Sequence, residues 1–181
     1  MTTTRQVALL RGINVGGHAK IAMADLRRLA TGLGYDDVRT HLQSGNLVVT
    51  TARTPAAVGR ELERAIAEQL GVEPRVVVRT RDELADVIDR NPFPEAVGEG
   101  SRLFVTFLSG APAAGALDDL DPAEYEPDTF RLLGRELYLH CPDGMRDSKL
   151  AQVLARKRLG VVATARNWNT VTKLLAIADD V

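Results

Sequence analysis

In the stretch Gln6-Val-Ala-Leu-Leu-Arg-Gly-Ile-Asn-Val-Gly-Gly17, a short apolar run leads directly into a Gly-rich loop. An apolar run of this length bounded by glycine is typical of a buried β-strand. Beyond the loop, apolar residues recur at helical spacing from Met23 to Leu33, and Gly34 is placed to end that helix. The chain is therefore predicted to open with strand, loop and helix.

The residues that follow complete one recognisable unit. Val38 to Ser44 and Asn46 to Thr51 are predicted to form a hairpin, and Thr54-Pro55 combines a capping residue with the proline that favours a helix start. Arg75 to Arg79 is predicted as a fourth strand. The order βαββαβ is that of a ferredoxin-like unit, an antiparallel sheet with both helices on one face. We assign it to residues 1–80.

The second half repeats this order of elements without repeating the sequence. A capping box at Thr80 to Glu83, a strand at Arg102 to Leu108, a hairpin at Thr129 to His140 and a helix capped by Asp147 precede a last apolar helix. The predicted fold class is α+β, with two ferredoxin-like (βαββαβ-type) subdomains. The second covers residues 81–181 and carries an extra C-terminal helix. No low-complexity linker separates them, so we expect them to pack as one unit.

Composition indicates a cytoplasmic globular protein. The chain is 45% hydrophobic, enough for a core, yet it has no apolar run approaching the ~18 residues of a membrane helix. The N-terminal residues lack a signal-peptide pattern, and Cys141 is the single cysteine, so no intrachain disulfide is expected. We therefore predict a cytoplasmic location, no membrane partner, and no particular oligomeric state.

Charge is distributed unevenly along the chain. Between Arg81 and Asp128 there are twelve acidic residues against three arginines, whereas Met145 to Ala178 carries seven basic residues and only Asp147 as an acid. The first fifty residues are also net basic. Basic ends that meet in space would attract anions, and the alternative is that the charges only maintain solubility.

Three motifs together resemble one family. They are Leu10-Arg-Gly-Ile-Asn-Val-Gly-Gly17, Gln43-Ser-Gly-Asn46 and Thr164-Ala-Arg-Asn-Trp-Asn-Thr-Val-Thr-Lys-Leu174. In combination they closely resemble the bacterial domain-of-unknown-function family numbered sixteen ninety-seven, and the resemblance runs from about Val7 to Leu175. It implies a tandem ferredoxin-like fold. It implies no activity, because the family has no established one.

The Gly-rich loop is the first candidate site. Glycines let successive backbone N–H groups converge on an anion, and two basic side chains flank the loop. The spacing matches neither common nucleotide-binding fingerprint, so the alternative is a tight connection that needs glycine for its geometry. The candidate residues here are Arg11, Gly12, Asn14, Gly16, Gly17 and Lys20.

A hairpin tip and the last helix supply the remaining candidates. Gln43, Ser44 and Asn46 cluster at a turn expected at Ser44-Gly45 or Gly45-Asn46, and antiparallel pairing should bring Asn46 close to the Gly-rich loop. The motif near the C-terminus is predicted to begin the last helix, where free N–H groups favour anions. Its candidates are Arg166, Asn167, Trp168 and Lys173, of which the asparagine has capping and the tryptophan core packing as alternatives. All three motifs are hypothesised to share one basic site.

No catalytic constellation is recognisable. The three histidines lack metal-ligand spacing, and neighbouring His140 and Cys141 would point to opposite sides of a strand. No cofactor is indicated. The leading interpretation is an uncharacterised protein that binds a phosphate-bearing small molecule at the Gly-rich loop and arginine site. Two alternatives stay open. One is a nucleic-acid-associated protein that uses its basic terminal segments, although the central strands carry no aromatics for base stacking. The other is an enzyme of unrecognised reaction.

Overall fold

The computed structural model describes residues 1–180, which contain eight β-strands and five α-helices. In chain order these are β1 (Thr4–Arg11), α1 (Met23–Gly32), β2 (Asp36–His41), β3 (Asn46–Thr51), α2 (Pro55–Leu70), β4 (Arg75–Thr80), α3 (Arg81–Asp89), β5 (Leu103–Leu108), β6 (Thr129–Leu133), β7 (Glu136–His140), α4 (Lys149–Arg156), β8 (Ala163–Asn167) and α5 (Trp168–Asp179). Short 3₁₀ helices occupy Pro94–Glu99 and Pro122–Tyr125.

Contacts divide the chain into two compact units. The first comprises Met1–Asp86 together with the stretch that starts at Lys173, and the second comprises Val87–Thr172. The second unit therefore differs at both ends from the predicted second half, residues 81–181, because α3 and α5 each run across the division.

Each unit contains a four-stranded antiparallel sheet of the same topology. The strand orders within the described residues are β2-β3-β1-β4 and β6-β7-β5-β8, with the first strand of each unit in the centre. In both sheets the fourth strand pairs with the first, at the side away from the hairpin. This is the ferredoxin-like arrangement, so the predicted fold class is confirmed.

The core of the first unit lies between its sheet and helices α1 and α2. Alternate residues of β1, such as Ala8 and Leu10, face this core and pack with Leu26 and Leu62 of the helices. The predicted start of α2 is confirmed, since the Thr54 hydroxyl accepts a hydrogen bond from the backbone N–H of Ala57 at 3.2 Å. Burying these apolar side chains provides most of the stabilisation of the unit.

Helix caps were predictable for α3 but not for α4. The capping box is confirmed, because the Glu83 N–H donates to the Thr80 hydroxyl at 3.1 Å and the Thr80 N–H donates to the Glu83 carboxylate at 2.8 Å. The prediction that Asp147 caps α4 is wrong. Ser148 is the cap, because its hydroxyl lies within 3.0 Å of the Ala151 N–H.

The eighth strand, β8, is absent from the sequence prediction, which placed Arg166 at the start of the last helix. Residues Ala163–Asn167 instead pair with β5, with Arg166 opposite Val105. The helix therefore begins two residues later, at Trp168. In the second unit a short 3₁₀ helix, Pro122–Tyr125, stands where the first unit has α1.

The end of α5 is attached to the first unit by ion pairs. A guanidinium nitrogen of Arg39 lies 2.7 Å from the Asp180 carboxylate, and Nε of Arg81 lies 2.6 Å from Oδ1 of Asp179. In the second unit, the phenol of the fully buried Tyr138 donates to the backbone carbonyl of Val87 at 2.6 Å.

Candidate functional site

The end of β1 and the start of β3 lie side by side, as antiparallel pairing predicted. Leu9 is opposite Asn46, and the Leu10 N–H donates to the Gly45 carbonyl at 2.9 Å. The turn between β2 and β3 is longer than expected, because it occupies residues 42–45 instead of two residues. The Gly-rich loop and the Gln43-Ser-Gly-Asn46 motif are thus neighbours at one edge of the first sheet.

Gly45 packs directly under the Gly-rich loop. Its φ is +91°, and a Cβ at this position would lie 2.6 Å from Cδ1 of Ile13 and 2.9 Å from Cβ of Leu10. Real side chains do not tolerate such distances, so only glycine allows the two motifs to come this close. The glycine therefore serves packing between the motifs.

Asn14 ties the Gly-rich loop to both of its neighbours. Its side-chain NH₂ donates to the carbonyls of Ile21 at 3.0 Å and Gln43 at 2.7 Å, while its carbonyl accepts from the Ile21 N–H at 2.9 Å. Asn14 also has a positive φ of +53°, a conformation that asparagine tolerates better than most residues. Its side chain holds the loop in shape.

The paired glycines of the loop form a tight turn. The His18 N–H donates to the Val15 carbonyl at 3.0 Å, and φ is positive at both central residues, +60° at Gly16 and +78° at Gly17. Two successive positive φ angles are characteristic of a type I′ turn, which favours glycine at both positions. Turn geometry accounts for these glycines, as the alternative reading of the motif proposed.

A cavity of about 440 Å³ opens where these elements meet. This volume is within the range of about 300–1,000 Å³ that is usual for small-molecule sites. Four sequence-predicted residues line the cavity together with two that sequence reasoning missed: Asn14, Gly17, Lys20 and Gln43, joined by Ile21 and Ala22.

The N-terminus of α1 borders this cavity. Ala22 occupies the cap position and provides no side-chain hydrogen bond, so the first N–H groups of α1 lack the partner that Ser, Thr, Asp or Asn would supply. Lys20 is exposed nearby, and in the described residues its ammonium forms no ion pair. Asp25, in the first turn, is paired with Arg28 at 3.0 Å. The wall of the cavity is therefore electropositive.

The other candidates of the first unit have different surroundings. Arg11 is exposed and lies opposite Arg75 of β4, whose Nε lies 3.3 Å from a Glu63 carboxylate oxygen. Asn46 is fully buried and donates to the His41 carbonyl at 2.7 Å and to the Ser44 hydroxyl at 3.0 Å. Asn46 and Ser44 therefore close the turn, while Gly12 stays exposed beside Arg11.

The motif near the C-terminus lies mainly in the second unit. Arg166 is 8% exposed and donates to the Thr164 hydroxyl at 2.7 Å and to the Ala165 carbonyl at 2.9 Å. Burial lowers the pKa of Arg166 to about 10. Asn167 caps α5 by accepting from the Thr170 N–H at 2.9 Å, and Trp168 is buried. Capping and core packing, the two alternatives, account for Asn167 and Trp168. A site that joins Arg166 to the Gly-rich loop stays a prediction.

Lys173 belongs to the first unit and influences His41. The pKa of His41 is lowered, first by burial and second by the positive charge of Lys173. Lys173 is itself exposed. It therefore adds a cation close to the end of β2, the strand that leads into the turn at residues 42–45.

We expect Lys173→Gln to raise the pKa of His41, because the variant removes the smaller of the two causes that depress it. A histidine with a lowered folded-state pKa stabilises the fold fully only above its unfolded value, about 6.5, and loses that contribution as the pH falls through the folded pKa. Titration of the His41 ring by NMR would measure the shift. Lys20→Gln is the control, and an unchanged His41 pKa in Lys173→Gln would contradict the assignment.

The surroundings of Cys141 and His140 bear on nucleophilic and metal chemistry. Cys141 is fully buried, and burial raises the pKa of its thiol. His140 packs against the Phe93 ring, and its Nε2 lies 3.6 Å from a Glu99 carboxylate oxygen. Within residues 1–180, no three His, Cys, Asp or Glu side chains are grouped to hold a metal ion.

The sheet surface that RNA-recognition domains use is buried in the first unit. Val7, Leu9 and Val48 alternate with the core-facing residues of β1 and β3, and each is at most 1% exposed. Base stacking requires an open sheet face with aromatic side chains, and Val7, Leu9 and Val48 do not provide one. Among the basic residues near α4, Lys157 is paired with Asp119, whereas Lys149, Arg156 and Arg158 are exposed.

No helix in the described part of the chain combines the length and apolar character needed to cross a membrane.

Comparison with known proteins identifies a solved structure of similar fold and one matching family. A solved structure, the conserved bacterial protein SP0830 from Streptococcus pneumoniae, is similar over 98% of this chain and 99% of its own, with a TM-score of 0.78 and 20% sequence identity. That likeness shows the fold alone. No curated protein matches the chain. The model of the family described as protein of unknown function (DUF1697) matches residues 3–138, which include the first two motifs but end before the third. The chain belongs to the DUF1697 family.

Proposed function

We propose that the first unit binds a small phosphate-bearing anion in the cavity bordered by the Gly-rich loop, the N-terminus of α1 and the turn at residues 42–45. The observation that carries the proposal is the uncapped start of α1 opening onto a cavity of about 440 Å³ beside Lys20. Free N–H groups and the positive end of the helix dipole both favour an anion.

The basic side chains support the same assignment. Lys20 lines the cavity and can pair with a negatively charged group, while Arg11 is an exposed cation at the end of β1. A charge-assisted hydrogen bond stabilises a complex by about 1.5–3 kcal/mol, which is more than a neutral bond provides. In contrast, the Asn14 side chain is already hydrogen-bonded to Ile21 and to the Gln43 carbonyl, and its contribution is to keep the cavity open.

Isothermal titration with inorganic phosphate, pyrophosphate and a nucleoside monophosphate would test the proposal. We expect binding by the wild type and a loss of about tenfold or more in Lys20→Gln, from the removed charge-assisted bond. Lys149→Gln is the matched control, since Lys149 is also an exposed lysine but lies in the second unit. The control should bind as the wild type does.

Two results would overturn the assignment. One is that no phosphate compound binds the wild type, and the other is that Lys149→Gln weakens binding as much as Lys20→Gln. Binding of an oligonucleotide with steep salt dependence, unaffected by Lys20→Gln, would favour the nucleic-acid alternative instead.

A further inference from the structure

The side chain of His140, at the end of β7, packs beside the segment 93–99. Its ring lies 6.1 Å from that of Phe93, centroid to centroid, and only 14% of the side chain is exposed. Within the described residues the buried Nε2 has no hydrogen bond, and it lies 3.6 Å from a carboxylate oxygen of Glu99. That distance is longer than a hydrogen bond, but a small rotation of the half-exposed glutamate would shorten it to one. A proton on Nε2 therefore has an acceptor close by.

Glu99 is the ionisable group that the structure pairs with His140. The second carboxylate oxygen of Glu99 lies 3.7 Å from Nη1 of Arg102, and both of those side chains are about half exposed. The cross-strand neighbours of the histidine, Leu103 of β5 and Thr129 of β6, carry no charge. By register, the charged residues that share its face of the sheet lie further along the strands: Arg131, Arg166, and Glu136, which is paired with Arg90 at 3.5 Å. Protonation of the ring therefore acts mainly on Glu99.

Glu99 lies one residue before the glycine on which α5 begins. The Gly100 carbonyl accepts hydrogen bonds from the N–H groups of Trp168 at 3.0 Å and Asn169 at 3.4 Å. A Cβ on Gly100 would lie 2.0 Å from Oδ1 of Asn169, so the backbone at residue 100 is in direct contact with the first turn of the helix. A change in the position of Glu99 therefore alters the support of that turn, which is part of the third motif.

We propose that His140 and Glu99 form a pH-sensitive latch at the start of α5. A histidine side chain gains its positive charge between about pH 8 and pH 5, and the charged ring then attracts a carboxylate at this distance. With the ring protonated, Nε2–H donates to Glu99 and holds Gly100 against the first turn of α5. A histidine that gains such a partner on protonation stabilises the structure most at low pH, and this contribution is lost as the pH rises. The latch lies in the second unit and does not depend on the anion site proposed for the first.

Hydrogen exchange of the Trp168 amide, followed by NMR on the whole protein at about pH 5.5 and about pH 8, would test the latch, because exchange reports local opening. At the lower pH we expect Glu99→Gln to exchange about twofold to fivefold faster than the wild type, the range that corresponds to a single ion pair. At the higher pH the two proteins should exchange at the same rate. Comparing them at one pH removes the intrinsic effect of pH on exchange, and loss of the Arg102 pair would act equally at both.

Two further variants identify the partner of Glu99. Glu95→Gln is the matched control, since Glu95 is an exposed glutamate of the same 3₁₀ helix, and it should exchange as the wild type does at both pH values. Adding Glu99→Gln to His140→Gln should have no further effect at the lower pH, because the partner has already been removed.

Three results would overturn the proposal. The first is that Glu99→Gln changes the exchange rate by the same factor at both pH values, or at neither. The second is that Glu95→Gln has as large an effect as Glu99→Gln, since the cause would then be charge in general. The third is that Glu99→Gln keeps its full effect in the His140→Gln background, which would assign Glu99 a different partner. If His140→Gln does not fold, the first two comparisons still decide, because both replace exposed side chains.

Discussion

Replacing Gly45 with alanine should destabilise the protein by roughly 3–5 kcal/mol, from two effects that act together. The first is a φ of +91°, which an L side chain rarely adopts. The second is steric, because the new Cβ would lie 2.6 Å from Ile13 and 2.9 Å from Leu10, and both neighbours are buried and cannot move aside. The main-chain bond from Leu10 to Gly45 would be strained as well.

Gly71→Ala is the matched control for backbone strain alone. Gly71 ends α2 with a φ of +68°, but a Cβ there would meet nothing within 4 Å. We expect a loss of about 1 kcal/mol from this variant. Urea unfolding followed by circular dichroism would measure both. Equal destabilisation by Gly45→Ala and Gly71→Ala would show that close packing between the two motifs contributes nothing.

Replacing Asn14 with alanine should cost about 2–4 kcal/mol of stability and abolish the proposed binding of phosphate. The variant removes three hydrogen bonds, two to Ile21 and one to Gln43, each of which stabilises the fold by about 1 kcal/mol. Alanine also tolerates the φ of +53° poorly. Without these bonds the loop is no longer held against the turn. The cavity then loses its shape, even though Asn14 is not itself proposed to contact the phosphate.

Asn14→Gly distinguishes the two causes of that loss. Glycine accepts the positive φ, so it should be about 1 kcal/mol less destabilising than alanine while the same hydrogen bonds are absent. Urea unfolding measures the difference in stability, and isothermal titration with phosphate measures the affinity. If Asn14→Ala unfolds at the same urea concentration as the wild type and still loses binding, Asn14 contacts the ligand directly and its structural role is wrong.

The Gly-rich loop and the Gln43-Ser-Gly-Asn46 motif are primarily parts of one interlocking structure. Gly45 allows close approach, Asn14 bridges the loop and the turn, and Asn46 closes the turn from beneath. Fewer candidate side chains are available to bind a ligand than the motifs suggest, and Lys20 is the clearest of these.

Much of the first unit could be predicted from sequence because its signals are local. Thr54-Pro55 defines the start of α2, and the capping box at Thr80 to Glu83 defines the start of α3. Neighbouring Asp147 and Ser148 are equally suitable caps for α4 by residue type, and only the position of the Ala151 N–H selects the serine.

Strand β8 could not be predicted because its reason for being a strand lies elsewhere in the chain. Its sequence, Ala163-Thr-Ala-Arg-Asn167, is short and has no apolar alternation. It becomes extended by pairing with Phe104 to Leu108, about sixty residues earlier in the chain. The main-chain hydrogen bonds of this long-range contact are independent of side-chain pattern. Missing β8 also placed Arg166 wrongly at a helix start.

The fold class and the shared sheet edge of the Gly-rich loop and Asn46 were predictable from sequence, since strand order and antiparallel pairing follow from local periodicity and topology. Which polar side chains already have hydrogen-bond partners became clear only from the folded structure. Asn14 is hydrogen-bonded to Gln43, which folding brings close. Asn46 and Arg166 are hydrogen-bonded to groups one to five residues away in the chain, whereas Lys20 lines a cavity at an uncapped helix. A side chain's chemistry is readable from its type, but its freedom to bind depends on which partners the fold places within hydrogen-bonding distance.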